Sequence, residues 1–310
     1  TAAAVSQPVD VNFAGKLLAD GGELRAVVRK RGSVIGRLQA SLRPLGPGAG
    51  DWMTRLRAAP LGGGLRYNGP ADTLYSFVGP ANQGLAGPIA VAADFSCQLA
   101  DPCLQGVLKG NGMTYENQTY GTKLTDMVVS GRFTGNRLEI DQLTAKAGTG
   151  SVAAKGYVSL SSADGYPMNI VATLDNARLA RSENIGARAT GTLTLAKTAG
   201  EAALLSGDLR LPETRYRIVR EGAASVPVLT GVRRKPPSGR RRISGDGLAA
   251  VGGSLFDLIR LDIRLRAGEQ IFVTGMGLES EWQADVTLKG TTVAPRVTGE
   301  IELVRGTPDF

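Results

Sequence analysis

Residues Trp282-Gln283-Ala284-Asp285-Val286-Thr287-Leu288-Lys289 alternate strictly, with Trp282, Ala284, Val286 and Leu288 on one parity and the polar residues on the other. Successive side chains of a β-strand point to opposite faces, so the pattern predicts a strand with one apolar and one polar face. The same period recurs outward from it. Met168, Ile170, Ala172 and Leu174 oppose Asn169, Val171 and Thr173, and Val297, Gly299, Ile301 and Leu303 oppose Thr298, Glu300 and Glu302. Similar runs lie near 9–18, 23–30, 33–43, 89–97, 103–109, 123–134, 137–145, 151–160, 189–196, 204–211, 261–267 and 270–275. Together they predict about 16 to 20 strands, joined by turns rich in Gly, Asn, Asp and Pro.

Helical spacing is rare. Asp51 caps a candidate helix over 51–59 that would bury Trp52, Met53 and Leu56, and a second candidate runs from Gly247 to Ile259. No strand–helix–strand rhythm exists, which excludes Rossmann and α/β-barrel enzymes. The fold class is all-β: a long antiparallel or mixed sheet with one or two short helices.

Composition narrows the function. The 310 residues carry 36 Lys+Arg against 28 Asp+Glu, a net charge of +8, with 42 glycines and few aromatics (7 Phe, 7 Tyr, 2 Trp). Histidine is absent, which excludes Ser-His-Asp and Cys-His catalysis and histidine-ligated metal. Two cysteines cannot make a four-cysteine zinc site, so neither metal nor cofactor is expected. Histidine-free lyases and glycosidases need paired carboxylates, yet Glu300, Glu302 and Asp208 all fall on the polar parity, and no catalytic residue is assigned. No apolar run is long enough to span a membrane as a helix. The start at Thr1 without an initiator Met, and the stop just after a strand-like run, are read as the ends of a piece of a longer protein.

Two repeats sharpen the architecture. The first pairs a small residue with glycine before an apolar position, at Gly131, Gly156, Gly191, Gly207 and Gly299, each on the apolar parity. Glycine there lets a strand bend sharply, and five such positions would crease the sheet. Their irregular spacing argues against a strict solenoid. The second is a whole hairpin. Residues 288–299 align with 95–106, proline five after the first anchor and four before the closing glycine in both.

Several stretches together resemble the TamB family, translocation and assembly module subunits of Gram-negative bacteria within the AsmA-like, bridge-like lipid-transport superfamily. They are Gly112–Asp126, Gly150–Val158, Tyr166-Pro167, Leu174–Leu179, Leu211–Tyr216, Leu261–Leu265, Gln270–Trp282 and Ala294–Glu300. The resemblance covers roughly 90 to 306. It implies a sheet folded lengthwise into an apolar trough, the β-taco, in a periplasmic protein whose parent is anchored in the inner membrane. It implies an outer-membrane Omp85-type barrel (TamA-like) as partner, phospholipid as cargo, and unfolded outer-membrane proteins as clients. Residues 1–88 are expected to form a trough segment containing the helix near 51–59. Residues 89–310 are expected to form the TamB-like C-terminal domain region, truncated at its C-terminal end.

The pattern itself also asks for a trough. About 16 strands each carry an apolar face that must be covered, and few helices are available to cover it. Folding the sheet on itself does so, over about 75–95 Å. The candidate groove lining is Leu138, Ile140, Val152, Val158, Leu160, Ile170, Leu174, Leu193, Leu195, Leu209, Leu211, Val286, Leu288, Ile301 and Leu303, aliphatic walls suited to acyl chains. Cys97 and Cys103 flank a turn and are either a disulfide across the hairpin or two free thiols. The basic run Arg233–Arg242 is either a solvated loop or a contact for anionic lipid or polysaccharide. It lacks the interleaved aromatics of a nucleic-acid site, and no nucleic-acid partner is expected. The rival functions are a scaffold that templates client outer-membrane β-strands by augmentation, and an adhesin-like β-solenoid with a dry core.

Overall fold

The computed structural model describes residues 9–18, 21–43, 51–76, 79, 82–161, 163–182, 184–219 and 259–308. They form one sheet of 17 strands with two short helices. The chain opens with β1 (Asp10–Leu18), β2 (Gly21–Lys30) and β3 (Ser33–Leu42), then α1 (Trp52–Arg57), β4 (Leu61–Pro70), α2 (Ala71–Tyr75) and β5 (Gln83–Ala86). Next come β6 (Pro88–Cys97), β7 (Pro102–Asn117), β8 (Thr122–Gly135), β9 (Arg137–Ala147), β10 (Gly150–Ser159), β11 (Met168–Arg181) and β12 (Ile185–Lys197). The last are β13 (Leu204–Arg210), β14 (Thr214–Arg217), β15 (Arg260–Gly275), β16 (Leu278–Thr291) and β17 (Pro295–Pro308).

Nearly every strand pairs antiparallel with its neighbour in sequence, as a meander. Two strand positions are split: β5 and β6 lie end to end along β7, and β13 and β14 lie end to end between β12 and β15. The split at Leu211-Pro212-Glu213 fits proline, which has no amide proton for the ladder. Both β13 and β14 run parallel to β15, the one parallel junction among the described residues. At about 4.8 Å per step, fifteen strand positions span about 67 Å, shorter than the strand runs suggest because the split pieces share positions.

Four interruptions in the ladders fall on a common line. Register shifts lie between Gly110 and Met113, Thr125 and Val128, Leu174 and Ala177, and Ala267 and Ile271. Asp126 and Asn176 take φ of 50° and 44° at two of them. Bulges bend and coil the strands that carry them, and the line between them is floored by small, fully buried side chains: Ala147, Ala177, Ala189 and Ala267. Bulges of this kind bend the strands along this line.

The repeated glycines form a second band beside it. A Cβ added to Gly156, Gly191, Gly207 or Gly299 would lie 2.0–2.3 Å from a carbonyl oxygen of the facing strand, and one on Gly131 2.6 Å from Glu139 O. Gly63 and Gly106 share the feature. The hairpin repeat survives in three dimensions, since Gly106 faces Ala93 as Gly299 faces Val286, and Pro102 faces Cys97 as Pro295 faces Gly290.

Three readings of the pattern change. The runs 261–267 and 270–275 are one strand, β15, continuous through a bulge. Gly62-Gly63-Gly64 lies inside β4, where no strand was expected. Helix α1 buries none of its residues. It docks through Ala59, whose carbonyl accepts from Leu99 N–H, while Ala100 N–H donates to Arg57, so Trp52 and Met53 stay 58% and 41% exposed. Its N-terminus is capped as expected, with the Asp51 carboxylate accepting from Thr54 N–H at 2.9 Å. The second helix candidate, 247–259, and the basic run 233–242 lie outside the described residues, apart from Ile259.

Cys97 and Cys103 are joined by a disulfide across the β6–β7 hairpin, with Cα atoms 5.4 Å apart. The loop is short, so the Cys97→Ser/Cys103→Ser variant is expected to lose about 2 kcal/mol of stability. Urea unfolding of the oxidised parent and the variant measures it.

Candidate functional site: an apolar groove

Cross-strand pairing carries inward side chains along the sheet in rows. One row runs Ala145, Val152, Leu174, Gly191, Leu209, Leu265, Val286, Gly299. The next runs Ala154, Ala172, Leu193, Gly207, Ile263, Leu288, Val297. A third runs Gly131, Ile140, Gly156, Ile170, Leu195, Leu205, Leu261. The first crosses eight strand positions, about 34 Å. No row carries a charge. Glycines open gaps among Leu, Ile and Val, so the face is aliphatic, continuous and uneven.

The proposed lining residues occupy this face to different depths. Leu174 and Leu209 are 3% and 4% exposed and form a cluster with Ala147, Ala177, Ala189 and Ile263. Val152, Leu193, Leu211 and Leu288 pack against it, half-buried. Val286 is also buried. Leu138 and Val158 face each other and, with Ile140, Leu160, Ile170 and Leu195, are half-buried. Ile301 and Leu303 are 60% and 56% exposed, because among the described residues β17 pairs on one side only, with β16.

Next to β4 the apolar face is met by α2, an element the periodicity did not reveal because five residues are too few to show a helical period. Ala71 packs on Met113, Met127 and Ala145. Lys30 Nζ donates to Asp72 Oδ1 at 2.9 Å and to Thr73 Oγ1 at 3.2 Å, and the lysine side chain is 10% exposed. Tyr75 and Tyr115 both donate to Gln83 Oε1 at 2.9 Å, and burial pushes both phenols up.

Burial pushes the Asp72 carboxyl up, but the hydrogen bonds from Lys30 and Thr73 outweigh it and hold the group below its ordinary 3.8. A depressed carboxylate stabilises the fold above its unfolded pKa, and the contribution disappears as pH falls through the folded value. Hydrogen exchange of residues 71–76 is therefore expected to be slow at neutral pH and to accelerate selectively below about pH 4, after correction for the intrinsic rate. Asp72→Asn should accelerate it at neutral pH, costing roughly 1–2 kcal/mol because Asp72 is half-exposed and screened.

The outer face is polar and laced with ion pairs, including Arg132–Asp141 and Arg264–Asp285 at 2.6 Å and Arg266–Asp208. Glu302 accepts from Gln283 on the same face. Among the described residues no group of three or more His, Cys, Asp or Glu is placed to hold a metal ion, and no helix is long and apolar enough to cross a membrane.

Residues 141–310, from β9 through β17 and just over half of the chain, match the family model of the TamB C-terminal domain. The chain belongs to the TamB family. TamB proteins form a non-enzymatic scaffold and transport family of outer-membrane biogenesis in the Gram-negative envelope. No curated protein and no solved structure gives a match. The TamB match contains most of each inward row and the parallel junction.

Proposed function

We propose that this chain is a segment of a periplasm-spanning trough, anchored through its parent in the inner membrane. Its apolar face holds phospholipid acyl chains in transit between the two membranes. The observation that carries this reading is the set of uncharged rows running at right angles to the strands. An acyl chain laid along a row meets only Leu, Ile, Val, Ala and Gly, and its transfer from water is favourable by about 0.8 kcal/mol per buried methylene. The phosphate headgroup stays in water at the mouth, because burying an unpaired charge is costly. TamB membership supports the wider role: assembly and secretion of outer-membrane proteins and autotransporters, with an Omp85-type barrel (TamA-like) as partner and phospholipid supply as the contribution of this segment.

The test places a photoreactive amino acid at Leu193 or Leu288, both half-buried on the groove face, and at Thr192 on the opposite parity. Mass spectrometry after irradiation in cells should find phospholipid on the first two and not on the third. Capture of protein alone at Leu193 and Leu288 would sink the acyl-chain reading.

A further inference from the structure

On the polar face, at the end of the strands where β11 turns into β12, four arginines and one carboxylate line a recess, and a fifth arginine lines the recess beside it. Arg178 lies directly opposite Arg188. Arg181 lies opposite Gly186, which in turn faces Arg215 on β14. The side chains line a recess of about 250 Å³ that also includes the small residues Ala180, Gly186 and Ala187. A second recess, of about 600 Å³, shares Gly186 and Arg215 and adds Arg217 and Tyr216. Glu213 is the one acid lining the first recess, and the second has none among the described residues; two arginines share Glu213, Arg215 at 2.8 Å and Arg188 at 3.6 Å. Arg178, Arg181 and Arg217 have no ion pair among the described residues.

Like charges directly opposite across strands destabilise a sheet. Such pairs recur on this face, at Arg37 and Arg66 and at Arg210 and Arg266, but here four arginines line one recess with a single acid. That gathering is local. Its chemistry is uniform as well: every cation is arginine, whose planar fork binds phosphate oxygens in pairs, where lysine offers a point charge. Gly186, opposite both Arg181 and Arg215, has no side chain and leaves room for an anion between the guanidinium groups. We infer that this recess is a binding site for a phosphate-bearing anion, either a lipid headgroup at a membrane surface or a soluble phosphoester. The inference is independent of what the groove holds, because the site lies on the opposite face.

The test uses the whole chain with vesicles of phosphatidylcholine containing one-third phosphatidylglycerol, and separately with pyrophosphate by calorimetry. Arg178→Gln/Arg188→Gln is compared with Arg37→Gln/Lys109→Gln, a pair of equal charge change at the other end of the polar face. At low ionic strength each arginine near an anionic surface is worth about fivefold in affinity. The first variant should thus lose on the order of 25-fold and the control less than about twofold. Its thermal midpoint should hold or rise, since a like-charged pair is relieved, which separates lost binding from lost folding. Vesicle binding lost in the first variant alone assigns the site to a membrane headgroup. Pyrophosphate binding lost in the same way, without vesicle binding, assigns it to a soluble phosphoester. Equal losses in both variants, or no binding of either probe by the parent, overturn the inference.

Discussion

Replacing Gly191 by valine is expected to remove a large share of the stability of the sheet. Gly191 has φ of 147°, a conformation that side-chain-bearing residues rarely adopt. A Cβ there would lie 2.1 Å from Asp208 O and 3.1 Å from Leu209 Cα. Neither atom is the movable end of a side chain; both belong to the β13 backbone, which the Thr192–Asp208 and Gly191–Leu209 pairings hold in register. Backbone strain of roughly 1–3 kcal/mol adds to overpacking of similar size. A sum of about 4 kcal/mol is a large share of the 5–15 kcal/mol by which folded domains usually exceed their unfolded chains. Gly207→Val should behave alike, its added Cβ lying 2.1 Å from Thr192 O. Gly84→Ala is the contrast. Nothing lies within 4 Å of the new methyl group, and the cost should stay below about 1 kcal/mol, near the usual penalty-free range of surface changes. Urea midpoints decide the matter. A Gly191→Val protein within 1 kcal/mol of the parent would mean that the strands do not approach so closely.

Leu209→Asp is expected to be nearly as damaging, and for a different reason. Leu209 is buried between Gly191 and Leu265 in a row that carries no charge. Losing the leucine side chain costs roughly 2–5 kcal/mol, and the carboxyl finds no cation on that face. It would be held neutral, with its pKa raised by burial. The sign then follows. A carboxyl whose folded pKa is raised destabilises most where the unfolded chain is ionised, so the residual fold should be best at acidic pH and weaken as pH rises past about 4. Thermal melts from pH 3.5 to 7.5 read this directly, and a midpoint independent of pH would show that the position is wetter than its burial implies. The substitution therefore reports on folding before it reports on lipid, and the half-buried Leu193 and Leu288 are the better positions for probing the groove.

How much of this was legible in the residues depended on the range of the signal. A period of two needs only a strand's own side chains, so Met168–Leu174 and Trp282–Lys289 declared themselves, as did the glycines on the apolar parity. β4 did not, because Gly62-Gly63-Gly64 removes the side chains in which alternation is read. α2 and β14 are too short to establish any period. The bulges at Asp126 and Asn176 are set by the neighbouring strands, and nothing local distinguishes these two residues from ordinary turn formers. The arginine cluster is the sharpest case. The densest basic run in the sequence is 233–242, whereas Arg178, Arg181, Arg188, Arg215 and Arg217 meet only once the register of three strands is known. Arg178 and Arg188 are ten residues apart in sequence, and a shift of one residue between β11 and β12 would put them on opposite faces.

The parallel junction between β13–β14 and β15 bears on how the chain acquires its shape in time. Most other pairings join strands adjacent in sequence, and such contacts form quickly because little chain must be closed to make them. Leu204 meets Arg260 and Thr214 meets Ile271 only across more than fifty residues. The meander from β1 to β14 and the three-stranded unit β15–β17 can therefore form as two separate bodies, and their docking is the late, slow event. Until it happens, each body exposes an unpaired strand edge in the middle of the future sheet, the natural point for a folding helper to act or for misassembly between two copies to begin.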